Sequence, residues 1–302
     1  MEVVGRLVFL LVLVAVGVGL RASGHLGQTR TARLNAVAYF VALPALIFVS
    51  TAGQAVGDLL TPTLLAGLLV VFTTTVALAW VVHRKQANPA RRSVAIVQSY
   101  HSNLGYLGVP LIAATFDAEV TAIASVILGV VSFVQLPTTI LFLSTINGAD
   151  VSLRHELGRL ARNPVLLALV AGLTVGSVGL TVPGPATAGL ETVGALALPL
   201  ALLCVGASLR LELPAADLGA TGSVVALNVL SMPVLAWAVF SLLAVDSATF
   251  AAAVVMLGTP TAVSTFVFAS ELGGDEAFAS RNVFATTVVS ILTLIVIIAL
   301  VS

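Results

Sequence analysis

"SYHSNLGYLGVPL", residues 99–111, lies inside an apolar stretch running roughly from Val94 to Ala114. It nonetheless holds two serines, two tyrosines, a histidine, an asparagine, two glycines and a proline. Pro110 removes a helix hydrogen bond and clashes with the turn before it, and Gly105 and Gly108 loosen that turn. The stretch therefore reads as a helix broken at Pro110, with polar side chains beside the break. At membrane depth, freed backbone groups are tolerated only when buried in protein or lining a wet cavity. The setting decides whether this is such a place.

The setting is a membrane. The chain of 302 residues is 59% hydrophobic and 9% charged, with mean hydropathy +1.14. A soluble domain carries about 25% charged residues. Formal charge is zero, which offers nothing to nucleic acid. The single cysteine, Cys204, sits in an apolar run and reads as packing; no metal site and no cofactor is expected. A span needs about 20 apolar residues. The sequence yields ten, at roughly 3–20, 34–52, 62–82, 93–115, 120–146, 164–181, 192–210, 220–244, 248–270 and 282–301. The first is read as a retained helix rather than a signal peptide, because Glu2 stands where a basic region belongs.

Basic residues test the count, since cytoplasmic connections collect Lys and Arg. Arg21, Arg30 and Arg33 follow span 1; Arg84, Lys85, Arg91 and Arg92 follow span 3; Arg154, Arg159 and Arg162 follow span 5; Arg210 follows span 7 and Arg281 follows span 9. The connections after spans 2, 4, 6 and 8 have none, and Arg6 alone departs from the pattern. Ten helices with both termini outside the cell membrane satisfy this alternation. The connection "NGADVSLRHELGRLARNP" (147–164) places Leu153, Leu157 and Leu160 on one helical face among arginines, which suits a short amphipathic helix at the cytoplasmic interface.

The chain also rhymes with itself. "YFVALPALIFVST" (39–51) matches "GALALPLALLCVGAS" (194–208), aligning Pro44 with Pro199. "GYLGVPLIAA" (105–114) matches "VMLGTPTAVS" (255–264), aligning Pro110 with Pro260. Both pairs join spans five apart, 2 with 7 and 4 with 9. Two five-span halves, 1–147 and 164–302, joined by a linker at 148–163, must enter the membrane with opposite orientation. Inverted repeats with breaks at matching positions are a mark of secondary transporters, whose half-helix ends meet around a substrate at the midplane. Gly258, Thr259 and Pro260 would break span 9 as the first stretch breaks span 4. Half-helix N-termini present free N–H groups and partial positive charge, which suit an anion.

On "NLGYLGVPL", on "TPTAVSTFVFASELGGDEAFAS" with its "FVFASE" (266–271), and on "RNPVLLALVAGL" (162–173), the sequence resembles the auxin efflux carrier family of membrane transport proteins, over essentially the whole chain. The short central connection is similar to the prokaryotic members. The resemblance implies an all-α membrane protein with scaffold and transport domains, helices 4 and 9 crossing in the latter, and elevator-like movement of small organic anions. It implies substrate contact by Asn103 and crossover roles for Pro110 and Pro260. It also suggests a homodimer, for which the small residues Ala42, Ala45, Ala201 and Gly206 of spans 2 and 7 offer a surface. Thr261, Ser264 and Thr265 differ from the plant carriers, so auxin itself is not inferred.

The expected substrate-binding set is Asn103, Ser102, Tyr106, Gly105, Thr259, Thr261 and Ser264. The expected crossover set is Pro110, Pro260, Gly108 and Gly258. Asn103 has two readings, substrate contact or capping of the break. Tyr106 reads equally as a pocket wall or as an amphipathic residue near a break. His101, the only histidine within an expected span, is either a proton carrier or a buried neutral ring. Gln98 and Gln135 line a polar path or bond helix to helix. Asn228, Asn282 and Ser290 read as helix-bonding residues. No carboxylate falls deep within a span; Asp58, Asp117, Glu119, Glu191 and Asp246 fall in connections. That argues against a sodium–proton exchanger with buried acids. A sodium-coupled symporter of the bile-acid-transporter type is the alternative, with Na⁺ held around 98–103 and 259–265. Enzymatic and ATP-driven readings find no HExxH, GxSxG or P-loop.

Overall fold

The computed structural model describes residues 2–208 and 218–302. Arg210 and the end of the seventh expected span lie outside the described residues. Within them the secondary structure is helical, with one isolated β-bridge. The helices are α1 (Glu2–Ala22), α2 (Gln28–Thr51), α3 (Pro62–His83), α4 (Pro89–Gln98), α5 (Leu104–Thr115), α6 (Ala118–Asn147), α7 (Leu153–Ala161), α8 (Pro164–Ser177), α9 (Gly184–Ala207), α10 (Gly219–Leu242), α11 (Ser247–Leu257), α12 (Ser264–Glu271) and α13 (Glu276–Val301).

Six of these, α2, α3, α6, α9, α10 and α13, are long and apolar enough to cross a membrane. A seventh is added if α7 and α8, bent by 54° at their junction, count as one. Part of the shortfall from ten has a local cause: expected spans 4 and 9 are each divided into two short helices, α4 with α5 and α11 with α12. Asn and Asp side chains cap the N-termini of several helices. Asn88 and Asn163, both followed by proline at the first helical position, accept from the amides of Arg91 (3.3 Å) and Val165 (2.9 Å). Asp246 and Asp275 accept from Thr249 (2.8 Å) and Phe278 (2.9 Å).

Two readings are corrected. Glu191 lies inside α9, not in a connection, because the helix begins at Gly184 and keeps this carboxylate exposed. His83 is the last residue of α3, buried, with Nε2 3.1 Å from the Ser99 hydroxyl, so a histidine other than His101 falls within a span.

The chain forms two compact units, each drawing on both expected halves. The first comprises Met1–Thr61, Gly105–Gly129 and Ala161–Leu211; the second comprises Pro62–Leu104, Val130–Leu160 and Glu212–Ser302. In the first unit, α1 packs closely against α9. A Cβ at Gly206 would stand 2.1 Å from the Val14 carbonyl, and one at Gly17 2.4 Å from that of Leu203. Ala42, Ala45, Ala201 and Gly206 are buried against their own chain, so they offer no free surface to a second copy. The second unit has a core of Phe72, Ile96, Tyr100, Leu143 and Phe278, in which the Phe72 and Tyr100 rings meet edge to face at 5.4 Å.

Candidate functional site

The two interrupted segments are joined in the second unit. α4 ends at Gln98, and the chain turns and extends through His101–Asn103. α11 ends at Leu257, and Gly258–Val263 separates it from α12. Ser102 and Thr261 form an antiparallel bridge. The Asn103 amide donates to the Pro260 carbonyl at 2.8 Å, and the Ala262 amide to the His101 carbonyl at 2.9 Å. Each break satisfies backbone groups that the other has freed, as burial in an apolar medium requires. Pro260 brings no N–H to this pairing, so it stands as an acceptor only.

Pro110 does not mark the first break. The extended residues lie at 101–103, and a π-helical turn, Leu104–Gly108, leads into Val109–Thr115, with Pro110 in the first turn. There a missing N–H costs nothing. Gly105 and Gly108 belong to the π turn rather than to a loosened helix. Gly258, by contrast, closes α11 where the sequence places the second break.

Most of the polar side chains are committed to the protein. Gln135 clasps Ser102 like a strand partner: its Oε1 accepts from the Ser102 amide at 3.1 Å, and its Nε2 donates to the Ser102 carbonyl at 3.2 Å. Gln98 donates to the Thr265 hydroxyl (2.9 Å) and the Ala279 carbonyl (3.1 Å), and accepts from Asn282 (2.9 Å). The helix-bonding reading thus describes Gln98, Gln135 and Asn282. His101 Nδ1 lies 2.7 Å from the Thr139 hydroxyl, which also stands 3.3 Å from the Tyr100 hydroxyl. The Thr259 hydroxyl returns to the Met256 carbonyl (2.8 Å), and that of Thr261 to the His101 carbonyl (3.2 Å). The Ser102 hydroxyl faces Met232 Sδ at 3.6 Å.

Two members of the expected set are left over. The Asn103 side-chain amide has no hydrogen-bond partner among the described residues, although the residue is only 5% exposed. The Ser264 hydroxyl, at the start of α12, is likewise unbonded there and half-buried. Asn103 is therefore not a side-chain cap of the break; its backbone does that work. Asn228 departs from the helix-bonding reading: it is fully buried in a π-helical turn, and neither amide atom has a partner among the described residues. Ser290 bonds only back to the Thr287 carbonyl, at 2.8 Å.

Tyr106 belongs to the first unit. Its ring stacks on Tyr39 with centroids 5.0 Å apart, and its hydroxyl accepts from Asn35 Nδ2 at 3.4 Å. Tyr39 in turn accepts from Asn163. Asn35, Tyr39, Thr139 and Asn163 are participants that the sequence did not single out; each is a polar residue whose partner is distant in the chain.

The first unit also carries an open cavity of about 800 Å³. Residues of three segments face it: Leu46, Val49 and Ser50 of α2 with Gly53 just beyond it; Pro110, Ala113 and Ala114 of α5 with Asp117 in the turn before α6; and Thr187, Glu191, Gly194 and Leu198 of α9. Pro110 is the one residue of the expected site that lines it.

The profile of a family described as "Membrane transport protein" matches residues 2–298. The chain belongs to this membrane transport protein family. It is also similar to an "Uncharacterized transporter" of Methanothermobacter thermautotrophicus (strain Delta H), with 28% identity over 295 residues, covering 94% of this chain and 93% of that one. Membership accords with the resemblance to the auxin efflux carriers and with the set of apolar helices, which make this a multi-pass membrane protein.

Proposed function

We propose that this member of the membrane transport protein family is a secondary transporter of small organic anions in the cell membrane. In this reading ten spans form two inverted halves, 1–147 and 164–302, linked by 148–163, with both termini outside. Spans 4 and 9 cross where their breaks pair. The unit holding the paired breaks moves the substrate in an elevator-like manner, and spans 1, 2, 6 and 7, which contribute most of the other unit, serve as its scaffold.

One observation carries the site: the unbonded Asn103 carboxamide beside a break whose backbone is already satisfied. A carboxamide not spent on the protein keeps its hydrogen-bonding capacity for a ligand. Asn103 Nδ2 donates to a carboxylate oxygen, and the Ser264 hydroxyl supplies a second donor. His101 has no place in this scheme as a proton carrier, since Thr139 holds its ring inside the core. The sodium-coupled alternative has fewer fully free carbonyls to draw on at the paired breaks. The His101, Ser102 and Pro260 carbonyls all accept hydrogen bonds within the protein.

The test is uptake of a labelled organic-acid panel into proteoliposomes, with the native chain and Asn103→Ala side by side and pH, sodium and potential gradients imposed separately. Saturable uptake of one acid, lost in Asn103→Ala and indifferent to sodium, is the expected result. A sodium requirement moves the reading to the symporter. Full activity in Asn103→Ala removes Asn103 from the site.

A further inference from the structure

The cavity in the first unit has a charge pattern opposite to what an anion carrier's binding site needs. It contains two carboxylates, Asp117 on the α5–α6 wall and Glu191 on α9, and no Lys, Arg or His. The imbalance extends beyond the lining. No basic residue occurs in the chain between Arg33 and His83, between His101 and Arg154, or between Arg162 and Arg210. The segments that build the cavity all lie in these intervals, so neither carboxylate has a nearby-in-sequence counter-ion. The Glu191 carboxylate has no hydrogen-bond or ion-pair partner among the described residues, and Asp117 uses Oδ1 to cap α6 through the Val120 amide at 3.0 Å. The rest of the wall is apolar or carries hydroxyls, most of them bonded within the chain; the Ser50 hydroxyl, for one, returns to the Ile47 carbonyl.

A concave apolar chamber of this size with a few polar groups at its edge is the usual form of a small-molecule site. Charge complementarity fixes the class of ligand. We propose that this cavity is a binding site for a protonated organic amine with an apolar body, separate from the anion site at Asn103. The ammonium group pairs with Asp117 and Glu191, and the apolar body rests against Pro110 and Pro199.

The electrostatics can be read directly with a thiol introduced into the wall. Ala114→Cys is made in a Cys204→Ala background and reconstituted as the full chain. Its modification rate is measured with a trimethylammonium-bearing and a sulfonate-bearing methanethiosulfonate. The cationic reagent should react about tenfold faster once each rate is normalised to a free thiol, as two nearby carboxylates at a wet surface would produce. Phenethylammonium should slow the reaction, while phenethyl alcohol and 3-phenylpropionate should not. Both effects should vanish in Asp117→Asn combined with Glu191→Gln; asparagine retains the helix cap, so the double variant keeps its fold. Equal normalised rates for the two reagents, equal protection by the alcohol or the acid, or protection that survives the double variant would each overturn the proposal. None of these readouts requires transport, so they stand or fall apart from the anion reading.

Discussion

The Asn103 amide and the Pro260 carbonyl are 2.8 Å apart, and this bond separates the two roles of Asn103. Its backbone closes the paired breaks, and its side chain is free. Asn103→Ala therefore keeps the structural bond and deletes the donor. Loss of a hydrogen bond to a charged ligand is worth about 1.5–3 kcal/mol, or roughly 10- to 150-fold. The expected outcome is a fall of that size in kcat/KM for uptake, with thermal stability unchanged or slightly raised. A variant that unfolds before it loses transport would show that the side chain is structural.

Gln135 should behave in the opposite way. Its amide satisfies both the N–H and the carbonyl of Ser102 in the core. Gln135→Leu leaves two buried backbone groups without partners, at a cost of about 1–3 kcal/mol each. A lower melting temperature in detergent, larger than for Asn103→Ala and unaffected by added substrate beyond the native shift, is the expected result. Equal stability of Gln135→Leu and the native chain would mean that the 99–103 segment finds other partners.

These two side chains also show what could be read in advance. The polar stretch at 99–106 and the Gly258-Thr259-Pro260 turn announce their breaks, because glycine, proline and unpaired backbone have few permitted settings in lipid. The repeat that aligns Pro110 with Pro260 pointed to two interrupted segments, and both are present. What the sequence does not encode locally is which polar group is spent. Gln98 is consumed by Thr265, Ala279 and Asn282, all more than 160 residues away. Ser102, Thr259 and Thr261 looked as available as Asn103 until their bonds were known. The position of the first break was also misread, since a π turn can deliver proline into the start of a helix where it does no harm.

Gly206 tests the packing of α1 on α9. A methyl group there meets the Val14 carbonyl at 2.1 Å, a backbone atom that cannot swing aside. Gly206→Val should force the helices apart and abolish folded protein, read as loss of the monodisperse peak on size exclusion. Gly19→Val on the opposing helix α1, where an added Cβ meets nothing within 4 Å, is the control and should behave as the native chain. Equal tolerance at both positions would contradict the close approach.

Asp275 supplies a pH dependence outside the spans. Burial alone would raise its carboxyl, but the Phe278 amide, the Arg91 guanidinium at 2.9 Å and the charge of Arg281 together hold it below its ordinary value. A folded-state value below the unfolded one means that the contribution to stability is complete above the unfolded carboxylate range, near pH 4. It fades as pH falls through the lower folded value. Asp275→Asn preserves the cap on α13 and removes the charge. Its melting temperature should therefore lie below the native one at pH 7, and the gap should close progressively as both are titrated from about pH 5 towards pH 3. Because the pair is partly exposed, the gap should also shrink with added salt. A gap that is constant across this range would assign the loss to the cap geometry and leave the Arg91 contact without energetic weight.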